Sequence, residues 1–327
     1  MSNFSMIKDA YERVAPYARR TPLLTSPFLD EIAKRRVWVK AESLQHTGSF
    51  KFRGGWAAIS ALNYEERKRG VITFSSGNHA QGIALAAMRH SVSSTIIMPK
   101  DSPQIKIENT RALGAEVILY DRETEDRNII EKKVNPNKSR ILIKPYDDHQ
   151  VIAGQGTVGI EVVEQSLENN ILNAEVLVCS GGGGLASGIA LALEKLNQNM
   201  QVRTAEPNEF DDIKRSLISG KIEQNAKTSG SLCDAILTLC PGEITFPILY
   251  RLCGKGISVS EEDALRAMVL AFERLRIVIE PGGAVALAAA LFHGDELNQD
   301  DVIAVATGGN VDAVVFNDAL AQYGSKS

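Results

Sequence analysis

Lys51 sits in Gly48-Ser49-Phe50-Lys51-Phe52-Arg53-Gly54-Gly55, where a helix is expected to begin. A helix macrodipole disfavours a cation at its N-terminus. Desolvation by the two flanking rings also favours the neutral amine. A neutral lysine amine is what Schiff-base chemistry needs. The competing reading is a solvated surface lysine, the usual condition of that residue. A second segment, Ser75-Ser76-Gly77-Asn78-His79, follows the strand-like VITF and precedes a helical run with apolar positions at Ile83, Leu85 and Met88. Backbone N–H groups, two hydroxyls and an amide at a helix start make a pocket for an anion such as a substrate carboxylate. An ordinary capped turn explains the same residues. The third segment, Gly181-Gly182-Gly183-Gly184, stands between the strand AEVLVCS and the helical LASGIALALEKL. Four glycines let the backbone close around a phosphate.

That glycine run also supports a rival. Gly181-x-Gly183-x-x-Ala186 fits the dinucleotide fingerprint, and the next strand ends at Glu206, a candidate ribose-binding acid. An NAD-dependent oxidoreductase is therefore an alternative. It leaves the first two segments without a role, and its fingerprint falls past mid-chain.

These segments need a scaffold, and the pattern supplies one. Strands are expected at Val37–Ala41, Val71–Ser75, Ser94–Met98, Glu116–Tyr120, Ile141–Ile143, Glu175–Cys179, Val202–Ala205, Ile257–Val259 and Val302–Ala306, with helical patterns between them. Ser49 is expected to cap a helix running to about Leu62. Ser102-Pro103 reads as an N-cap followed by proline. Ser260 opens a helix with three acids in its first turn. Such alternation predicts an α/β fold with two open, twisted, mainly parallel sheets flanked by helices. The polar stretch 121–139 reads as a wet surface helix and turn.

Composition narrows the function. The 327 residues allow two domains. A hydrophobic fraction of 44% supplies a packed interior. The net charge of -4 offers no general attraction to nucleic acid or an anionic membrane. Its longest apolar run, Ala284–Phe292, is far below the roughly 20 residues of a spanning helix. No leader-like start is read, so a cytoplasmic location is expected. Cys179, Cys233, Cys240 and Cys253 have no metal-site spacing, and Cys179 reads as a buried thiol.

Taken together, GSFKFRG around Lys51, SSGNHAQG at 75–82, VIAGQGT at 151–157, GGGGL at 181–185, EPNEFDD at 206–212 and TGGNVD at 307–312 resemble the fold-type II pyridoxal-phosphate enzymes. The likeness is to their serine/threonine dehydratase and serine racemase branch, with a tryptophan synthase β-like fold, and it covers essentially the whole chain. It implies pyridoxal 5'-phosphate as cofactor, which displaces the oxidoreductase reading. Lys51 would hold the cofactor and, once freed, take the substrate Cα proton. Ser76 would be the acid/base on the opposite face. Asn78 would bond the cofactor ring oxygen, and Ser75, Ser76, Gly77, Asn78 and His79 would hold the substrate carboxylate. Gly181, Gly182, Gly183, Gly184 and Leu185 would cradle the phosphate, with Phe50 packed near the ring. Thr307 falls where serine usually meets the pyridine nitrogen, and it keeps the hydroxyl. Glu206, Asp212 and the Phe210 carbonyl fall on the family's site for Mg²⁺ or Ca²⁺. Two solvated carboxylates beside a helix start are the plainer account of that trio.

The resemblance implies a large cofactor-binding domain, 1–72 and 151–327, with a small mobile domain, 73–150, inserted in it. It also implies a homodimer and, since no further domain follows TGGNVD, no feedback control of the kind found in longer threonine dehydratases. The expected activity is β-elimination of L-threonine, L-serine or threo-3-hydroxyaspartate to a 2-oxo acid and ammonia. Serine or aspartate-type racemisation on the same fold is the alternative. A catalytically silent metabolite-binding protein is a more distant one.

Overall fold

The computed structural model describes residues 2–102, 104–121, 124–227 and 229–325. The strands are β1 (Leu23–Thr25), β2 (Arg36–Lys40), β3 (Val71–Phe74), β4 (Ser94–Pro99), β5 (Glu116–Tyr120), β6 (Ile141–Leu142), β7 (Ala174–Cys179), β8 (Met200–Pro207), β9 (Ile257–Val259) and β10 (Asp301–Val305). They form one sheet in the order β1-β2-β10-β7-β8-β9 and another in the order β5-β4-β3-β6. Every pairing is parallel except β1 with β2. Parallel sheets need cover on both faces. Accordingly β4, β7 and β10 are buried along their whole length.

The helices that build the site are α1 (Lys51–Ser60), α2 (Asn78–Arg89), α3 (Gln104–Ala112), α4 (His149–Glu168), α5 (Gly184–Leu196), α6 (Asp212–Ser219) and α7 (Pro281–Phe292). All nine expected strands are present, Glu116–Tyr120 and Ile257–Val259 with the expected ends and the others shifted by a residue or two. The strand that escaped notice, β1, has three part-exposed or exposed residues at a sheet edge, too short for a period. Ser260 caps its helix as expected, accepting from Asp263 N–H. Ser49 does not cap α1. Its backbone is extended and bridges Gly308, its hydroxyl is buried without a partner, and Phe50 already has helical dihedrals. Of the expected Ser102-Pro103 start, Pro103 lies outside the described residues. The 121–139 stretch carries a helix at Arg127–Val134 and a short turn at Pro136–Lys138, as expected.

One ion cluster ties these elements together. Arg53, fully buried, donates from Nε and Nη2 to Glu42 at 2.8 Å each, and from Nη1 and Nη2 to Glu161 at 2.7 and 2.8 Å. Lys40 Nζ donates to Glu161 Oε2 at 2.6 Å, to Gln165 Oε1 at 2.9 Å and to Thr21 O at 2.8 Å. Two cations meet two carboxylates, so the buried charge balances. β2, α1 and α4 are thereby fixed to one another, two residues from Lys51.

Arg53→Met would strand Glu42 in the interior and leave Glu161 with Lys40 alone, two buried carboxylates against one cation. Its expected cost is about 3–5 kcal/mol of stability. Arg20→Ala removes only exposed pairs, with Glu168 and Glu164, and should cost about 0–1 kcal/mol. Chemical denaturation of both variants measures the difference.

Candidate active site

Lys51 occupies the first turn of α1, and its i+3 and i+4 neighbours are both glycines. These positions share its helix face. A Cβ on Gly54 would lie 2.4 Å from Gln155 Nε2 on α4. A Cβ on Gly55 would lie 2.9 Å from Gly82 O on α2. The two glycines thus let α2 and α4 close in beside the lysine. Lys51 Nζ donates to Pro145 O at 2.8 Å and lies 5.1 Å from the Phe50 ring centroid. Burial lowers its pKa to about 8. It is not a solvated surface lysine.

β3 delivers the serine segment to the same place. Ser75 N–H donates to Ile97 O, and Ser75 Oγ accepts from Gly77 N–H at 3.1 Å. α2 begins directly after, so its first N–H groups lack intrahelical partners. The Asn78 side chain donates to Glu280 Oε1 at 2.5 Å and accepts from Asn310 Nδ2 at 2.7 Å. His79 is buried, and its pKa falls to about 3 through burial and then through the charge of Lys51. The imidazole is therefore neutral.

The tetraglycine turn joins β7 to α5. Gly183 has φ +87°, a left-handed conformation that favours glycine. A Cβ on Gly182 would come within 2.2 Å of the Tyr146 ring, and one on Gly181 within 2.9 Å of Ile236 O. The turn has no room for side chains. Thr307, buried after β10, accepts from Phe50 N–H through its carbonyl at 3.1 Å.

These segments line one cavity of about 420 Å³, which includes Phe50, Lys51, Ser75 to His79, Gly181 to Leu185 and Thr307. That volume suits a small substrate or cofactor. The lining also holds residues that the sequence did not single out: Lys106, Pro145, Tyr146, Gln155 and Asp234. Lys106 Nζ donates to Asp234 Oδ2 at 3.2 Å and lies 3.6 Å from Glu280 Oε2, so its charge is already offset. Pro145 acts through its carbonyl, which no side-chain pattern announces. Gln155 sits in the quoted VIAGQGT segment, but its helix buries other polar residues too, so nothing in the sequence sets it apart.

The expected cation trio lies outside this cavity lining. Glu206 and Asp212 are fully buried, not solvated. Glu206 accepts from Ile213 and Lys214 N–H at 2.9 and 2.8 Å. Asp212 Oδ1 accepts from Asn225 at 2.6 Å, while Oδ2 has no partner. Burial, then Asp212, pushes the Glu206 pKa well up, and burial brings Asp212 to about 7. Two repelling buried carboxylates with an unpartnered oxygen fit a hard cation. Among the described residues no three His, Cys, Asp or Glu side chains gather as a metal cluster. A cation here would rest on two carboxylates, the Phe210 carbonyl and water. The same burial leaves Glu206 unavailable to a ribose, which removes the structural basis of the oxidoreductase reading. Among the described residues no helix is long and apolar enough to cross a membrane.

Comparison with known proteins agrees with this geometry. A family model described as pyridoxal-phosphate dependent enzyme matches residues 14–308. A serine racemase of Dictyostelium discoideum is 40% identical over 94% of each chain. An L-threo-3-hydroxyaspartate ammonia-lyase of Saccharomyces cerevisiae is 39% identical over 94% of this chain and 92% of its own. The crystal structure of a T.th. threonine deaminase superposes with a TM-score of 0.88 at 41% identity, covering 95% of this chain and 99% of that one.

Gly182→Ala should push Tyr146 into the cavity with little change in circular dichroism. The expected loss of affinity for pyridoxal phosphate is roughly tenfold or more, about 1.4 kcal/mol, within the usual range for overpacking. Absorbance titration of the cofactor-free protein measures it.

Proposed function

The chain belongs to the pyridoxal-phosphate dependent enzyme family, and we propose that within it this protein is a β-hydroxy amino acid ammonia-lyase. The observation that carries this reading is a lysine of lowered pKa sharing one cavity with Ser76 and the tetraglycine turn. Bound there, the cofactor supplies the electron sink that acidifies the substrate Cα–H. Lys51 Nζ takes that proton as general base. The N–H groups and hydroxyls of Ser75 to His79 orient the substrate carboxylate. Gly181 to Leu185 hold the cofactor phosphate, Phe50 packs near its ring, and Thr307 offers its hydroxyl to the pyridine nitrogen. The Asn78 amide, already bonded on both sides to Glu280 and Asn310, has one N–H left for the ring oxygen. Loss of the β-hydroxyl gives an enamine that hydrolyses to a 2-oxo acid and ammonia. L-Serine, L-threonine and threo-3-hydroxyaspartate are the candidate substrates.

Racemisation is the second reading. It is favoured by Ser76 and Lys51 lining the same cavity, as a two-base exchange at Cα requires. Residues 73–150 are proposed as a small mobile domain. In support, the four-stranded sheet lies wholly within 71–142, and the cavity draws residues from both sheets. Closure of that cleft would exclude water during turnover. A homodimer and a cytoplasmic location complete the proposal.

The first test is 2-oxo acid release from the three substrates. Wild type should release it and Lys51→Ala should not, at saturating cofactor; release that survives in Lys51→Ala refutes the assignment. Chiral analysis of residual substrate scores the racemase reading. The cation site has its own signature. The folded pKa of Asp212, about 7, exceeds the ordinary value of about 3.9. Its contribution to stability is thus full below pH about 4 and lost as pH rises through about 7. Mg²⁺ or Ca²⁺ should therefore raise the melting temperature at pH 8 and much less at pH 5, and Asp212→Asn should abolish the effect.

A further inference from the structure

Gln155 is 1% exposed, lines the catalytic cavity, and has no partner for either amide atom. His79, 2% exposed on the same lining, has no partner for Nδ1. Its Nε2 faces Ile143 O at 3.4 Å, which assigns the proton to Nε2 and leaves Nδ1 as an acceptor. One donor and two acceptors therefore stand unsatisfied beside the Lys51 helix. Buried polar groups are rarely left so. Both residues reach this position through glycine contacts: Gln155 packs on Gly54 of α1, and α2, which carries His79, packs through Gly82 against the Lys51 carbonyl. A single water needs two to four polar partners to be held in the interior.

We propose that Gln155 and His79 hold one buried water against the Lys51 amine, and that this water takes over the amine's hydrogen bond when Lys51 leaves Pro145 O. Gln155 and His79 are then positioning residues. This rests on the reading of Lys51 as the reactive amine. An amide suits the task because it both donates and accepts, so through water it serves a neutral amine and an ammonium alike. A carboxylate at the same place would favour the ammonium and take Lys51 out of the neutral form. The other charges on the cavity wall are engaged: Lys106 pairs with Asp234 and Glu280, and Glu125 accepts from Asp121 N–H. His79 is neutral, which leaves Gln155 as the adjustable contact.

The test uses the full chain with cofactor removed. The pH dependence of reductive methylation at Lys51, read by mass spectrometry, gives the amine's pKa. Gln155→Glu should raise it by about one unit or more, slowing methylation near neutral pH roughly tenfold. Gln155→Met, close in volume, should melt like wild type yet lower kcat roughly tenfold at unchanged KM in the loaded enzyme. A high-resolution crystal structure of the wild type should show water bonded to Gln155, His79 and Lys51. An unchanged pKa in Gln155→Glu overturns the proposal. If that variant does not fold, wild-type kcat in Gln155→Met, or a dry contact in the crystal, overturns it instead. Retention of 2-oxo acid release by Lys51→Ala would sink the assignment of the reactive amine; the pKa and water measurements are independent of that result.

Discussion

The site depends on a buried guanidinium. Arg53 grips Glu42 and Glu161 with paired hydrogen bonds, and Lys40 closes the set. Desolvation makes such a cluster costly, so its value lies less in net stability than in geometry. Each member has one satisfactory position, and that position sets where α1 sits on β2 and α4. Because Lys51 is two residues from Arg53, the reactive amine inherits this rigidity. A helix held only by apolar contacts could rotate or slide by a fraction of a turn, and a shift of that size would spoil the approach to a substrate carbon.

Rigidity is joined to a particular electrostatic environment. The lysine is largely desolvated at the cavity wall, its amine rests on a carbonyl, and the neighbouring histidine is held neutral. None of these groups carries a negative charge that would lock the amine as an ammonium. The acids that do line the cavity are matched with Lys106 or with backbone N–H groups. The chain thus separates its strong charges into clusters and leaves the reaction space with polar, uncharged neighbours. The pair Glu206 and Asp212 is the exception, and it lies away from the lysine.

Much of this was legible in the sequence, and the reasons are local. Strands such as β7 and β10 are short apolar runs between helical patterns, so their burial follows from composition. Tetraglycine and SSGNH announce themselves because few structural uses demand such residues together. Arg53 was visible but mute: its partners lie 11 and 108 residues away. Gln155, Lys106 and the Pro145 carbonyl were missed for the same reason, since their meaning comes only from what the fold brings beside them. Ser49 misled because a serine before a helix usually caps it, and here the bridge to Gly308 fixes an extended backbone instead. The solvated reading of Glu206 and Asp212 failed because their burial is set by β8 and α6 packing, not by their own polarity.

The strand order has a consequence for biosynthesis. β10 lies between β2 and β7, and pairs Asp301 with Arg36, residues 265 apart. The middle of the larger sheet is therefore empty until residues 301–305 have been synthesised, after every other strand named above. The four-stranded sheet, drawn from one continuous stretch, has no such wait. A nascent chain would carry one folded lobe beside two unpaired apolar strand edges, the condition in which aggregation competes with folding. The burden that this topology imposes therefore falls on the nascent chain, where β2 and β7 wait for their common neighbour, and not on the finished sheet.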